Sequence, residues 1–258
     1  MKRILFFTVL AGVLAWGKAE AHEFFIRPGR TAVYRTGDTV DLGLYSSHSF
    51  TAGESMGPPE RNEVYVLQGT RNIPLALSAN EGLKIFQMQY RLDGGALAVA
   101  VAHRKPSFSC ATTEGSKRGT RSEVESQGFT VVTSTLSESW CTFYINPSSG
   151  DRTFSAPRNL RLEIVPVTNP ADLRAGRSAA FRVLYTGRPL AGCDLAYAGE
   201  NEEGFTSTVK TDDSGNAVLT PNAAGLLFVR VGFVAPVSGQ ADYDRESVTS
   251  IAVFSVAR

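Results

Sequence analysis

The chain from residue 34 to residue 44 reads Tyr34-Arg35-Thr36-Gly37-Asp38-Thr39-Val40-Asp41-Leu42-Gly43-Leu44. A glycine turn precedes a strand in which apolar side chains alternate with small or polar ones, as in a half-buried β-strand. A second stretch repeats this pattern and reads Leu173-Arg174-Ala175-Gly176-Arg177-Ser178-Ala179-Ala180-Phe181-Arg182-Val183. Each copy follows a proline, Pro28 or Pro166. An extended strand, a proline break, a glycine turn and a buried strand are typical of the start of a β-sandwich, where the first two strands are antiparallel.

The repeat predicts both the fold class and the domain organisation. Because no long window has helical periodicity, we expect an all-β protein with two Ig-like β-sandwich domains after a cleaved signal peptide. The expected limits are 1–21 for the signal peptide, 22–150 for an N-terminal domain with the candidate metal site, and 151–258 for a C-terminal domain. The boundary is expected near residues 148–157, where Pro147-Ser148-Ser149-Gly150 is typical of a linker.

The N-terminal segment has the pattern of an export signal. Lys2 and Arg3 precede an apolar run over residues 4–16, and Ala19-Glu20-Ala21 then offers the small residues that signal peptidase requires. Cleavage after Ala21 would make His22 the first residue of the mature chain. No later segment reaches about 18 consecutive apolar residues, so we expect a periplasmic or secreted protein with no membrane span in its mature chain.

Charge and motif content argue against several classes of function. The chain has 26 basic and 25 acidic residues and a formal net charge of +1. This balance gives no electrostatic footprint for nucleic acid. The sequence also contains no nucleophile elbow, Cys-x-x-Cys pair or phosphate-binding loop. We therefore expect neither a nucleic-acid partner nor an enzyme.

The three cysteines are Cys110, Cys141 and Cys193. An oxidising compartment permits one bridge and leaves one thiol over. Cys110 and Cys141 flank a stretch rich in serine, threonine and glycine, and a disulfide between them would restrict that stretch in the unfolded chain. We expect this pair to be bridged and Cys193 to be free and buried.

The three histidines, His22, His48 and His103, all lie in the first half of the chain. A mature chain that begins at His22 offers the α-amine and ring Nδ1 of one residue, which can close a chelate ring. One further imidazole would complete a three-nitrogen set, which suits Cu(II) or Ni(II). A metal-binding role is the function that this pattern favours.

Hairpin geometry favours His48 as the second ligand. A turn centred near Gly37 would place His48 opposite Ile26, roughly 13 Å along the strand from His22 at about 3.3 Å per residue. A bulge at Pro28 would shorten that gap. The second repeat has Gly187 at the position equivalent to His48, so only the first domain would carry the site.

Three further residues are candidates for the same site. His103 follows a strand of small residues and is the third candidate metal ligand, with a surface position as the alternative. Glu23 and Asp41 are candidate oxygen ligands or hydrogen-bond partners for an imidazole N–H. The alternative for both carboxylates is a solvated position on a strand.

The start of the mature chain and several stretches of its second half carry the motifs of one family. The matching stretches are His22-Glu23-Phe24-Phe25-Ile26-Arg27-Pro28, His48-Ser49-Phe50, Leu162-Glu163-Ile164-Val165-Pro166, Asn169-Pro170-Ala171-Asp172-Leu173, Val183-Leu184-Tyr185-Thr186-Gly187-Arg188-Pro189-Leu190-Ala191-Gly192 and Thr211-Asp212-Asp213-Ser214-Gly215. They resemble an exported bacterial domain-of-unknown-function family associated with nickel and cobalt uptake transporters. The chain has Phe25 where that family often has tryptophan.

The resemblance implies a periplasmic protein with Ig-like sandwiches that binds or delivers Ni(II) or Co(II), and an inner-membrane metal transporter as a partner. The role carries over to His22 and His48, which match the family's motifs. Two other functions stay open on the sequence: a non-catalytic β-sandwich that binds a partner protein or envelope polymer, and a copper oxygenase with an N-terminal histidine brace.

Overall fold

The computed structural model describes residues 22–30, 34–94 and 97–258, so the expected signal peptide lies outside the described residues. The helical elements of this part of the chain are α1 (Arg121–Ser126) and three 3-10 turns, Pro59–Arg61, Thr153–Ser155 and Pro170–Asp172. In the same ranges no helix has the length and apolar character needed to cross a membrane. The all-β prediction is confirmed.

The strands are β1 (Glu23–Pro28), β2 (Thr39–Ser47), β3 (Asn62–Gln68), β4 (Arg71–Pro74), β5 (Ser78–Asn80), β6 (Ile85–Arg91), β7 (Ala98–Thr112), β8 (Gly115–Arg118), β9 (Val131–Ile145), β10 (Leu162–Pro166), β11 (Ala179–Tyr185), β12 (Arg188–Pro189), β13 (Asp194–Gly199), β14 (Ser207–Lys210), β15 (Asn216–Leu219), β16 (Gly225–Pro236) and β17 (Arg245–Val256). They form two four-stranded sheets and one nine-stranded sheet.

The two copies of the sequence repeat form equivalent strand pairs in the two small sheets. One small sheet has the order β1-β2-β6-β5, and the other has β10-β11-β12 with β15 also paired to β11. β1 pairs antiparallel with β2, and β10 pairs antiparallel with β11. The predicted antiparallel start of each half is therefore confirmed.

The large sheet combines strands from both halves of the chain. Its order is β14-β13-β16-β17-β9-β7-β3-β4, with β8 added alongside β7. The two halves meet where β17 runs parallel to β9. The path ends at β14 on one side and at β4 on the other.

The small sheets cover opposite faces of the large sheet, which gives three layers. Successive side chains of a strand point to opposite faces. Along β7, Ala98, Ala100 and Ala102 pack in the core beneath β1, β2 and β6, whereas Val99 and Val101 pack in the core beneath β10 and β11. Both faces of β7 are therefore buried over its first five residues, 98–102.

The continuous large sheet is a departure from the expected separation of two domains near residues 148–157. Each half does contribute a sandwich, but the N-terminal small sheet also packs on strands of the C-terminal half. The Phe25 and Phe50 rings lie 5.3 and 4.3 Å from the Phe228 ring, centroid to centroid. The halves are joined because burying these rings and pairing β9 with β17 removes both apolar surface and an open sheet edge from water.

The expected Cys110–Cys141 disulfide is wrong, and strand register gives the reason. Cys110 lies opposite Ser134 in the β7–β9 ladder, whereas Cys141 lies opposite Ala102. The two cysteines are thus separated by roughly 25 Å along the ladder, at about 3.3 Å per residue. A disulfide needs Cα atoms within about 7 Å. All three cysteines are free, and Cys193 is half-buried rather than buried.

Candidate metal centre

The ends of β1 and β2 bring His22 and His48 together. Glu23 is paired with Ser47, so the next residue outward on each strand is His22 on one side and His48 on the other. The two rings lie 4.4 Å apart, centroid to centroid, with 70° between their planes. The sequence-predicted pair is therefore adjacent.

The expected register, with His48 opposite Ile26, is wrong by four residues. The paired residues of β1 and β2, from Glu23 with Ser47 to Pro28 with Leu42, are centred on residue 35 and not on Gly37. The Gly29 N–H extends this pairing by donating to the Asp41 carbonyl at 2.8 Å, next to the connection between β1 and β2. Gly37 forms a local turn within that connection, with φ of 91°. The actual register removes the gap that separated the two histidines in the sequence prediction.

Glu54 is the third residue of the site, and no pattern in the sequence indicated it. Its Oε2 lies 3.1 Å from His22 Nε2 and 2.7 Å from His48 Nδ1. In the described part of the chain, His22, His48 and Glu54 form a group in which one ligand atom from each residue lies within 4.8 Å of the other two. Glu54 lies in the irregular segment after β2, where no periodicity indicates which way a side chain points.

Backbone hydrogen bonds hold the Glu54 segment against the end of β2. The N–H groups of Glu54 and Ser55 both donate to the Ser46 carbonyl, at 3.2 and 3.1 Å. The Ser47 hydroxyl donates to Glu54 Oε1 at 3.1 Å, and the His48 N–H donates to the same oxygen at 3.3 Å. The carboxylate orientation is thus fixed by its neighbours.

Gly53 permits the close approach that this segment needs. A Cβ atom at this position would lie 2.5 Å from the carbonyl oxygens of both Leu83 and Lys84. Such contacts are too short for any side chain, so the turn before β6 and the Glu54 segment pack together only with glycine here.

The site is accessible to solvent. The side chains of His22, His48 and Glu54 are 33%, 41% and 38% exposed. The hydrogen bond with His48 is the largest cause that lowers the pKa of Glu54 below its usual range. Glu54 is therefore ionised at neutral pH and presents a negative charge to the two imidazoles.

The donor set fits a divalent transition-metal ion. Two imidazole nitrogens and one carboxylate oxygen are ligands that such ions accept. Two ligands about 2.1 Å from one metal ion lie roughly 2.9–3.4 Å apart in square-planar or tetrahedral geometry. The observed separations of 3.1 and 2.7 Å from Glu54 to the two imidazoles are close to this range.

The other sequence candidates lie apart from this cluster. His103 Nε2 is 3.0 Å from Glu138 Oε1, and its ring stacks on Trp140 at 3.8 Å. Glu23 is half-buried, its Oε2 lies 3.0 Å from Arg230 Nε, and burial raises the pKa of its carboxyl. Asp41 accepts a hydrogen bond from the Gln89 amide at 2.9 Å. The structure therefore gives each of these three residues a partner outside the His22, His48 and Glu54 cluster.

Comparison with known proteins gives a family without a described activity. The profile of the family described as "Domain of unknown function (DUF4198)" matches residues 19–235. No curated protein matches the chain.

Several solved structures align with the chain at low identity. The D0-D1 domain of intimin is 13% identical over 92% of this chain and 99% of that chain, with a TM-score of 0.21. The mouse nectin-like molecule 4 ectodomain (Ig1–Ig3) is 11% identical over 92% and 65%, with a TM-score of 0.20. The central fibronectin-III array of RIM-binding protein is 12% identical over 89% and 68%, with a TM-score of 0.22. Similarity at this level carries no argument about function.

Proposed function

The chain belongs to the DUF4198 family, and from that starting point we propose that it is an exported protein that binds a divalent transition-metal ion for delivery to an inner-membrane metal transporter. Ni(II) or Co(II) is the proposed ion, and Cu(II) is the alternative. The observation that carries the proposal is the convergence of His22, His48 and Glu54 within 4.8 Å.

The composition of the cluster supports a metal ligand set over a simple hydrogen-bonding group. The three side chains come from two strand ends and a separate segment, and each points one ligand atom to a common centre. Partial exposure leaves room for water or a partner's ligand to share the ion. A site that gives up its ion to another protein needs such access, whereas structural metal sites are closed.

The orientation of the His22 ring favours a set of metal ligands that does not include the α-amine. Nε2 faces Glu54 at 3.1 Å, while Nδ1 lies 3.0 Å from the Ser55 hydroxyl. Chelation by the amine and Nδ1 would require the ring to turn away from this hydrogen bond. We therefore assign His22 Nε2, His48 Nδ1 and a Glu54 oxygen as the ligand atoms.

Calorimetric titration of the mature chain, residues 22–258, with Ni(II) tests this assignment, with Cu(II) for comparison. We expect His48→Ala and Glu54→Ala each to weaken binding by about 10-fold or more, roughly 1.4 kcal/mol. The matched control is Glu60→Ala, an exposed carboxylate six residues further along the chain. A glycine added before His22 should leave the affinity within about threefold, since it displaces only the amine.

Two results would change the proposal. If the control and both site variants bind Ni(II) as tightly as the parent, the cluster does not bind the ion, and a non-catalytic interaction module becomes the better description. If the glycine extension weakens binding about 10-fold, the amine is a ligand and the His22 ring turns on binding.

A further inference from the structure

A cavity of about 130 Å³ lies beside the cluster of His22, His48 and Glu54 and shares His22 with it. Its wall includes three arginines, Arg61, Arg104 and Arg118, together with Asn62. Three segments bring the arginines together: the turn before β3, the middle of β7 and the end of β8. The cavity is therefore a product of tertiary packing and has no signature in one stretch of sequence.

The three guanidinium groups have no carboxylate partner in the described part of the chain. Arg61 donates to the Lys105 carbonyl at 3.1 Å, and the Arg104 guanidinium lies 4.3 Å from the centre of the Phe24 ring. By contrast, Arg27 pairs with Glu200 at 2.7 Å. The cavity thus gathers positive charge that the protein itself does not neutralise.

Burial and the neighbouring charges affect the pKa of Arg104. Burial, followed by the nearby charges of Arg61 and Arg118, lowers its pKa to about 10. It still carries its proton at neutral pH, and a desolvated cation without a counter-charge is unfavourable. Asn62 adds a second unsatisfied group, since its side chain is buried and its Oδ1 has no hydrogen-bond partner.

We propose that this cavity binds a small multivalent oxyanion, a polycarboxylate or phosphate, through Arg61, Arg104 and Arg118. Arginine forks match carboxylate and phosphate oxygens. A hydroxyl or protonated oxygen on the same ligand would donate to Asn62 Oδ1. Since His22 borders both sites, an anion held here lies next to the proposed metal ligands His22, His48 and Glu54. Resting on the function proposed above, the cargo is then a metal ion together with an anionic co-ligand.

Titration of the metal-free mature protein with tricarballylate and, separately, with inorganic phosphate tests the cavity. We expect Arg118→Gln and Arg104→Gln each to weaken binding about 10-fold. Arg188→Gln, which removes an exposed arginine on β12, should leave binding unchanged. Whichever probe binds more tightly identifies the class of anion.

Arg118 is exposed, so its variant is expected to fold, and a thermal melt checks both Arg variants. The inference is overturned if neither anion binds the parent below about 10 mM, or if Arg118→Gln binds like Arg188→Gln.

Measuring anion binding with and without Ni(II) distinguishes a failure of this inference from a failure of the proposed function. Coupling between two sites is reciprocal, so saturating Ni(II) should raise the anion affinity of the parent several-fold and leave that of His48→Ala unchanged. Metal-free His48→Ala should bind the anion like the parent. Anion binding without Ni(II) binding refutes the metal role and supports the cavity as an oxyanion site. Ni(II) binding without anion binding overturns the cavity inference alone.

Discussion

Glu54 uses its two carboxylate oxygens differently. Oε1 accepts hydrogen bonds from the chain around it, from the Ser47 hydroxyl and the His48 N–H. Oε2 faces the two imidazoles. One oxygen therefore fixes the side chain while the other remains directed at the centre of the cluster. This division would let a metal ion bind as proposed while the segment around Glu54 keeps its own hydrogen bonds.

The thiols provide a prediction at the residue scale. Burial raises the pKa of Cys141 to about 12 and also raises that of Cys110, and thiol reactivity requires the thiolate. We expect three thiols to react with Ellman's reagent in denaturant without reductant, and Cys193 to react first in the native protein.

The control for the native reaction is Cys193→Ser, which should remove that first phase. If denatured protein shows a single thiol before reduction, two cysteines are bridged, and peptide mapping of a Cys110–Cys141 bridge would show that the strand register described for β7 and β9 is incorrect.

Individual site residues differed in how far the sequence could reveal them. His22 and His48 stood out because histidine is rare in this chain and because a repeat placed both at strand ends. Glu54 did not, since its position depends on hydrogen bonds to Ser46 and on close packing at Gly53. The Cys110–Cys141 pairing failed because flanking a polar segment in sequence does not bring two strand residues opposite each other.

At the scale of elements, the two faces of β7 contribute side chains to two different hydrophobic cores. Residues 97–102 alternate between small alanines and larger aliphatic side chains, and all are buried. A strand buried on both faces reads as a continuous apolar run. That signal was present in the sequence, but the partners on each face lie far along the chain and could not be identified from it.

β9 carries a buried carboxylate whose ionisation should affect stability. Burial raises the pKa of Glu138, but hydrogen bonds and charges from His103 and Arg161 outweigh it and lower the pKa below its usual range. The Arg161 guanidinium also contacts Glu246 on β17. A lowered folded-state pKa stabilises the protein above the unfolded value of about 4.3, and that stability is lost as the pH falls through the folded value.

We therefore expect Glu138→Gln to lower the free energy of unfolding at pH 7 by about 1–3 kcal/mol. The difference from the parent should shrink as the pH is lowered from about 5 to 3. Urea denaturation across this range measures it, with the exposed Glu114→Gln as the control. A difference that stays constant with pH would show that Glu138 is not held as a carboxylate.

At the scale of the whole molecule, the shared sheet ties the two halves into one cooperative unit. Phe228 of β16 and Ile251 of β17 pack in the core of the N-terminal small sheet, whereas Val99 and Val101 of β7 pack in the core of the C-terminal small sheet. Each half therefore completes its core with residues from the other. The repeat predicted the matching strand pairs, but the β9–β17 contact joins residues more than 100 positions apart and left no local signal.

We expect the mature chain to unfold in a single transition. Fragments 22–150 and 151–258, produced separately, should each lack a cooperative thermal transition, because separation exposes one edge and part of both cores. Circular dichroism and calorimetry measure this. Mixing the fragments should restore a transition if the interface is the reason. A cooperative transition in either isolated fragment would show that the halves are independent domains after all.

The large sheet ends at β4 and β14, and such open edges invite other chains to add a strand. β4 contains Arg71 and closes with Pro74, and Pro has no N–H to donate. β14 ends at Lys210, whose ammonium group contacts Asp194 at 2.6 Å. We expect the proline of β4 and the charged residues at both edges to oppose edge-to-edge association of this wide, continuous sheet.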